Sequence, residues 1–279
     1  MKALRAPAAV TVFWYALFAA FTVFFLVPLL FMLGTSLKLE KEVYDFPVRL
    51  WPKSATVDNY VALFTRPNIP MLRWIFNSVY VTLAVTAGVL VIDSLAAFGF
   101  SRLEIPCKRW LFAMIIGSMM IPFPATLIPV YGLLQKLHWL DTYKALIIPP
   151  LAGPLGVFLL KQFFDTIPRD LEEAALLDGC SKVDLFSRII LPLSMPVMAT
   201  LGILVFMGIW NSFLWPLIVT NSIKMHPLPV GLTFFNGEYW SERALVMAAA
   251  AVCAFPVLVV FLIFQRYIVR GIMMTGLKD

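Results

Sequence analysis

Charge is what this chain has least of. Its 279 residues are 14% charged and 61% hydrophobic, where a soluble domain is about a quarter charged. A single water-facing globule is therefore excluded. Cysteine is scarce, and Cys107, Cys180 and Cys253 show no ligand spacing, so they read as unpaired thiols. The two histidines, His138 and His226, stand alone in expected loops. Met114, Met119 and Met120 read as packing filler. No metal site is expected. The chain has no G-x-x-x-x-G-K-[ST] phosphate loop, no H-E-x-x-H and no G-x-S-x-G. Neither ATP hydrolysis nor intramembrane hydrolysis is expected on it, and it is read as a non-enzyme. No basic tract is interleaved with aromatics, which argues against a nucleic-acid partner.

What is present is a series of long uncharged runs. A bilayer core needs about 20 apolar residues per helix. Six spans are read at 11–34, 74–100, 110–135, 143–160, 193–219 and 245–265. The fold class is all-α and polytopic, with one transmembrane domain over 1–279. Lys2 and Arg5 precede the first run, but its length favours a retained helix over a signal peptide. The fourth span holds Pro149, Pro150 and Pro154, with Lys144 and Lys161 placed to snorkel at its ends. The short 101–109 link carries Arg102, Lys108 and Arg109, which argues for the inside. That places both termini in the cytoplasm, an ordered extracytoplasmic loop at 35–73 and a cytoplasmic loop at 165–192.

The cytoplasmic loop is the unusual part. Between two spans the sequence turns polar and well punctuated, as a helix-turn-helix. Thr166 is placed to cap a first short helix, with Pro168 in its first turn. Asp170, Glu172 and Glu173 put negative charge at the positive end of the helix dipole. Leu171, Ala174, Ala175 and Asp178 share a face by i, i+3, i+4 spacing, and its two alanines make it shallow enough for close approach. Gly179 ends the helix, Ser181 and Asp184 form a capping-box variant, and Pro192 and Pro196 mark re-entry into the membrane. A lipid-lying helix would favour basic residues opposite large apolar ones. This one reads as a socket piece for a soluble partner.

These residues resemble a known motif. Glu173-Ala174-Ala175, Gly179 and Leu191-Pro192 are similar to the "EAA" loop of the membrane subunits of bacterial ABC importers. Asp178, Phe186 and Pro196 resemble the carbohydrate-uptake branch, notably the smaller permease of maltose-type and glycerol-3-phosphate-type systems. Phe163-Phe164, Ile167-Pro168, the 210–217 segment and the 265–271 segment extend the likeness over nearly the whole chain. The tail Thr275-Gly276-Leu277-Lys278-Asp279 departs from the family's usual ending. The resemblance implies that Glu173, Ala174, Ala175, Asp178, Gly179, Leu191 and Pro192 form the coupling element seated on an ATPase. It implies that this chain binds no cofactor, ATP and magnesium lying on the partner. The implied partners are a second homologous permease, two ATP-binding cassette subunits, an extracytoplasmic solute-binding protein and membrane lipid. The implied location is a bacterial or archaeal plasma membrane.

Inside the spans Asp93 is the sole acidic residue at depth, and buried charge in lipid is functional by default. It reads equally as a pathway group or a helix-helix tie. Asn211, between Trp210 and Trp215, offers an amide beside aromatic faces, as sugar sites do, or an interhelical bond. Asp93, Trp210, Asn211 and Trp215 are the candidate pathway residues. The expected cargo is a mono- or oligosaccharide, with glycerol-3-phosphate or a polyol next. A secondary transporter or channel is the rival class, and usually shows several buried ionisable groups.

Overall fold

The computed structural model describes residues 8–235 and 242–276, with side chains for 10–235 and 242–265. The expectations for Lys2, Arg5 and the 277–279 tail lie outside the described residues, as do the side chains of 266–271. Along the chain run α1 (Ala8–Ser36), α2 (Glu40–Val43), α3 (Asp58–Thr65), α4 (Met71–Arg102), α5 (Lys108–Ser118) and α6 (Phe123–Lys136). Then come α7 (Tyr143–Ile147), α8 (Pro154–Phe164), α9 (Arg169–Leu177) and α10 (Lys182–Leu193). Last are α11 (Met195–Trp210), α12 (Leu214–Val219), α13 (Leu228–Gly231) and α14 (Arg243–Gly276). No strand occurs among the described residues.

Three helical stretches are long and apolar enough to cross a bilayer: Val10–Ser36, Met71–Arg102 and Arg243–Gln265. Three bent pairs pass the same test jointly. These are α5 with α6 (100°), Tyr143–Ala152 with α8 (41°) and α10 with α11 (75°). The interval expected as the third span is thus two helices, broken at 119–122, and neither Pro122 there nor Pro124 in the first turn of α6 can donate a backbone N–H to carry the ladder across. The expected fourth span is interrupted by a 3₁₀ turn at Pro149–Ala152. The expected fifth breaks after Trp210. Asn211 turns its amide back onto the Met207 carbonyl (2.9 Å), and Pro216 has no N–H to continue the ladder.

The chain forms two compact units, 1–71 with 232–255 and 72–231 with 256–279. In the first, the loop after α1 is held by polar ties. Lys38 is buried and donates to the Arg49 carbonyl at 2.6 Å. Asn59 donates to the carbonyls of Ser36 and Lys38, each at 2.9 Å. Arg66 forms a bidentate pair with Glu242 (2.8 Å each). The Glu40 carboxylate accepts the first backbone N–H groups of α14, from Arg243 and Ala244, at 2.9 Å. A negative charge at that end suits the helix dipole.

In the second unit α4 is the spine. Val81, Val85 and Val89 recur every four residues and pack with Leu134, Ala145, Leu146, Trp215 and Val219. Further along, Ala97 and Phe98 meet Leu160, Phe164, Ile167, Ala175, Leu185, Ile190 and Leu201. In lipid, apolar burial gives little transfer gain, so close packing and polar ties do the holding. Gly156 of α8 is one such close approach, since any Cβ there would overlap the Asp93 carboxylate.

Candidate functional site

The site is built from the end of α4, the end of α8, and the α9–α10 knuckle. Thr166 does not cap α9. Its Oγ1 donates to the Phe163 carbonyl at 2.7 Å and so closes α8 instead. The N-cap of α9 is Pro168, with no side-chain cap. Pro168 forces an extended entry, and Asp170 and Glu172 lie in the first turn, where the dipole favours them.

The turn after α9 has a full set of local hydrogen bonds. The Gly179 N–H donates to the Leu176 carbonyl (3.1 Å) and the Cys180 N–H to the Ala175 carbonyl (3.0 Å). This is a Schellman closure, and it needs a left-handed residue at its centre. Gly179 supplies it with φ +85°. Ser181 then caps α10. Its Oγ accepts the Asp184 N–H at 3.1 Å while the Asp184 carboxylate accepts the Ser181 N–H at 3.3 Å. Those bonds to Ser181, with Arg188 nearby, hold the Asp184 carboxyl below its ordinary value. From Leu185 to Ile190 the helix widens to a π turn, where Leu191 N–H reaches the Phe186 carbonyl. Pro192, with no N–H and a ring that crowds the preceding turn, accounts for the wider ladder. Ser194 Oγ donates to the Ile190 carbonyl (2.7 Å) at the 75° bend into α11.

The knuckle is fastened from within. Arg102, the last residue of α4, pairs through Nε with the Glu172 carboxylate of α9. Their side chains are only 5% and 10% exposed. Arg102 also donates to the carbonyls of Phe164 (2.6 Å) and Ile167 (3.1 Å) and to Ser101 Oγ (2.7 Å). Ser101 in turn donates to Asp165 (2.6 Å), which also takes Lys161 at 2.5 Å. Burial would raise the Asp165 carboxyl, but the Lys161 ammonium and the Ser101 hydroxyl outweigh it and hold it below the ordinary carboxylate value. One guanidinium thus ties α4, the end of α8 and α9 together. Removing one partner of such a buried pair costs about 3–5 kcal/mol.

The expected coupling residues divide across this fastening. Ala175 is buried in the core with Leu185 and Ile190. Leu171, Glu173, Ala174, Leu177, Asp178 and Gly179 face outward, Leu177 being 89% exposed. Leu191 and Pro192 sit at the exit of the π turn. The knuckle therefore presents a carboxylate (Glu173) and an apolar tip (Leu177), while its neighbour Glu172 points inward. From sequence Arg102 was read for orientation alone and Glu172 for the helix dipole alone, and their pairing was not foreseen. The signal lay in Glu172 sharing a helical face with Ala175, three residues on. A carboxylate on the packed face demands a cation.

The four pathway candidates have different surroundings. Asp93 is buried against Gly156, and its Oδ2 has no protein hydrogen-bond partner. Trp210 stacks on Phe206 (6.0 Å between centroids). Asn211 bonds back to its own helix. Trp215 is buried and donates to the Ala145 carbonyl at 3.0 Å.

A largely apolar helical chain with an outward knuckle tied to a long helix is the build of a membrane transport subunit, and the relatives agree. Residues 94–274 match the family described as binding-protein-dependent transport system inner membrane component, and the chain belongs to that family. It is 37% identical over 268 residues to the putative ABC transporter permease protein ORF2 of Caldicellulosiruptor sp. (strain Rt8B.4), covering 95% of this chain and 96% of that one. It is 32% identical to the arabinooligosaccharides transport system permease protein AraQ of Bacillus subtilis (strain 168), over 94% and 93% of the two chains. The trehalose/maltose transport system permease protein MalG of Thermococcus litoralis (strain ATCC 51850 / DSM 5473 / JCM 8560 / NS-C) is 33% identical, over 80% and 82%. The fold matches a chain of a bacterial ABC transporter involved in import of the acidic polysaccharide alginate. The TM-score is 0.85 at 21% identity, over 96% of this chain and 99% of the other.

Proposed function

We propose that the chain is the permease subunit of an ATP-driven importer and forms half of a path for a mono- or oligosaccharide. In this reading six spans, three of them bent or broken, cross the membrane with both termini in the cytoplasm. The α9–α10 knuckle then lies in the cytoplasm against an ATP-binding cassette subunit. A second homologous permease completes the path, and an extracytoplasmic binding protein delivers the sugar. ATP and magnesium act on the partner ATPase. The sugar class draws support from relatives that carry arabinooligosaccharides or trehalose and maltose. A relative for sulfoquinovosyl glycerol keeps glycosylated polyols in view as cargo.

The observation that carries the proposal is the division of labour between two adjacent carboxylates. Glu173 faces outward, free to meet a cation on a soluble partner. Glu172 faces inward and locks the knuckle to Arg102, so a push on the knuckle reaches α4 as a rigid displacement rather than a loop deformation. Of the pathway candidates we carry forward Asp93, whose buried Oδ2 is available to a sugar hydroxyl or a moving helix.

The test is the reconstituted complex carrying Glu173→Lys. Insertion and assembly are expected to persist, while uptake falls at least tenfold and ATP hydrolysis loses its response to the loaded binding protein. Normal, ATP-dependent uptake by this variant would overturn the coupling assignment. Uptake by the native chain in the absence of any ATPase would instead favour a secondary transporter.

A further inference from the structure

Beside the Arg102 fastening lies a cavity of about 380 Å³ that the coupling scheme does not use. Five cations line it, Arg102, Lys108, Arg109, Lys161 and Arg169, against the single carboxylate of Asp165. Arg102 is committed to Glu172 and Lys161 to Asp165. Among the described residues Lys108 reaches backbone alone, donating to the carbonyls of Leu103 (3.1 Å) and Ser101 (3.4 Å). Arg109 and Arg169 have no carboxylate within ion-pair distance among the described residues. Three positive charges are left over around one space.

Gathering like charges is costly, and Lys108 registers the cost. Burial first, then the charges of Lys161, Arg169 and Arg102, hold its ammonium below the ordinary value despite the opposing pull of Asp165. An anion in the cavity would relieve that repulsion and collect charge-assisted hydrogen bonds from forked guanidinium groups. The volume falls within the range of small-ligand pockets.

The surroundings say which anion. The cavity opens where the apolar run of α4 ends at Arg102. Phe100 and Phe112, 5.7 Å apart, form an apolar wall, and Lys161 stands 5.0 Å over the Phe112 ring. Trp110, two residues before Phe112 on α5, is 76% exposed, as aromatic residues are at headgroup level. Cations above an aromatic wall suit an amphiphile with a charged head and a greasy tail.

We propose that this cavity binds a phosphate-bearing anion, presented as the headgroup of an anionic phospholipid. The site would pin a lipid against α4, α5 and the end of α8, next to the element that fastens the knuckle. The inference rests on the membrane placement above but not on the coupling role, and its readout is binding rather than transport.

The experiment uses the purified importer complex, titrated separately with phosphatidylglycerol, phosphatidylcholine and inorganic phosphate and read by native mass spectrometry. Phosphatidylglycerol should be retained over phosphatidylcholine. Its affinity should fall about thirtyfold in Arg109→Gln/Arg169→Gln, which removes two cations near an anionic surface. Arg109→Lys/Arg169→Lys should lose less affinity than the Gln pair, because the charge is preserved although the guanidinium fork is not. Both arginines are exposed, so the variants should assemble. Binding of inorganic phosphate that the Gln variant loses, with no preference between the lipids, would keep the phosphate chemistry and overturn the lipid source. Equal retention of every probe by native and Gln complexes would overturn the site.

Discussion

The two ends of α4 are both tied to neighbouring segments, but by different chemistry. Near its start the tie is neutral and closed. Asn77 is buried, donates to the Lys224 (2.8 Å) and His226 (3.0 Å) carbonyls, and accepts from the Tyr143 hydroxyl at 2.6 Å. Trp74 adds a bond to the Ile223 carbonyl (2.7 Å), and Ser78 Oγ accepts the Leu228 N–H (2.7 Å). At the other end the tie is ionic, centred on Arg102 and Glu172, and borders exposed Arg109 and Arg169, which have no carboxylate within ion-pair distance among the described residues. A neutral network with every group satisfied resists rearrangement and offers nothing to a visitor. A charged fastening beside open cations can both transmit a displacement and recruit a ligand. One helix thus joins an anchored end to an addressable one.

This contrast can be broken by measurement. Arg102→Ala strands the buried Glu172 carboxylate and should destabilise the chain by about 3–5 kcal/mol in thermal or denaturant unfolding. Restoring a pair by exchange, Arg102→Glu with Glu172→Arg, should recover part of that loss. A loss no larger than at Asn77 would erase the distinction. Asn77→Ala should cost about 1–3 kcal/mol through the Lys224 and His226 carbonyls and the Tyr143 hydroxyl left unpaired. It should leave the dependence of uptake on ATP unchanged; uncoupling there would mean that the neutral end transmits too. Gly179→Val should cost about 1–2 kcal/mol from the left-handed turn, and should also weaken recovery of the ATPase with the purified chain. Unchanged assembly would separate the turn from docking.

The smallest effect concerns pH. Asp165 is held below its ordinary value of 3.8 when folded. Its contribution is therefore fully present above that value and is lost as pH falls through the lower folded one. Asp165→Asn should lower the melting temperature above about pH 4 and converge on the native chain below it. A constant offset across that range would mean that the contribution is steric rather than ionic.

Much of the knuckle was legible because it is governed locally. Gly179 follows a helix with no residue better suited to positive φ, and Ser181 and Asp184 stand at capping-box spacing. Both features appear where the spacing put them. Thr166 was misleading for the same local reason. A threonine hydroxyl can serve the helix behind it as readily as the one ahead, and here it serves Phe163. The breaks within the third, fourth and fifth apolar intervals were harder to place. Prolines announce that a helix can break, but the packing around them sets where and by how much. Asn211 and Trp215 show the same ambiguity, because a polar group in an apolar run can serve a ligand or a backbone carbonyl, and both bond backbone.

By itself the sequence determined the helical, lipid-compatible character of the chain and the position of its polar interruption. Those depend on composition and short-range spacing, which hold whatever the neighbours do. Only the tertiary structure decided between Glu172 and Glu173. Successive residues on a helix point about 100° apart, and the cation that turns the first of them inward sits at the end of a helix seventy positions earlier in the chain. Likewise the 101–109 link supplies three of the five cations around the cavity, and Lys161 and Arg169 come from segments far along the chain. The excess of positive charge arises where α4, α5, the end of α8 and the start of α9 converge, and electrostatic energy depends on distance in space, not along the chain.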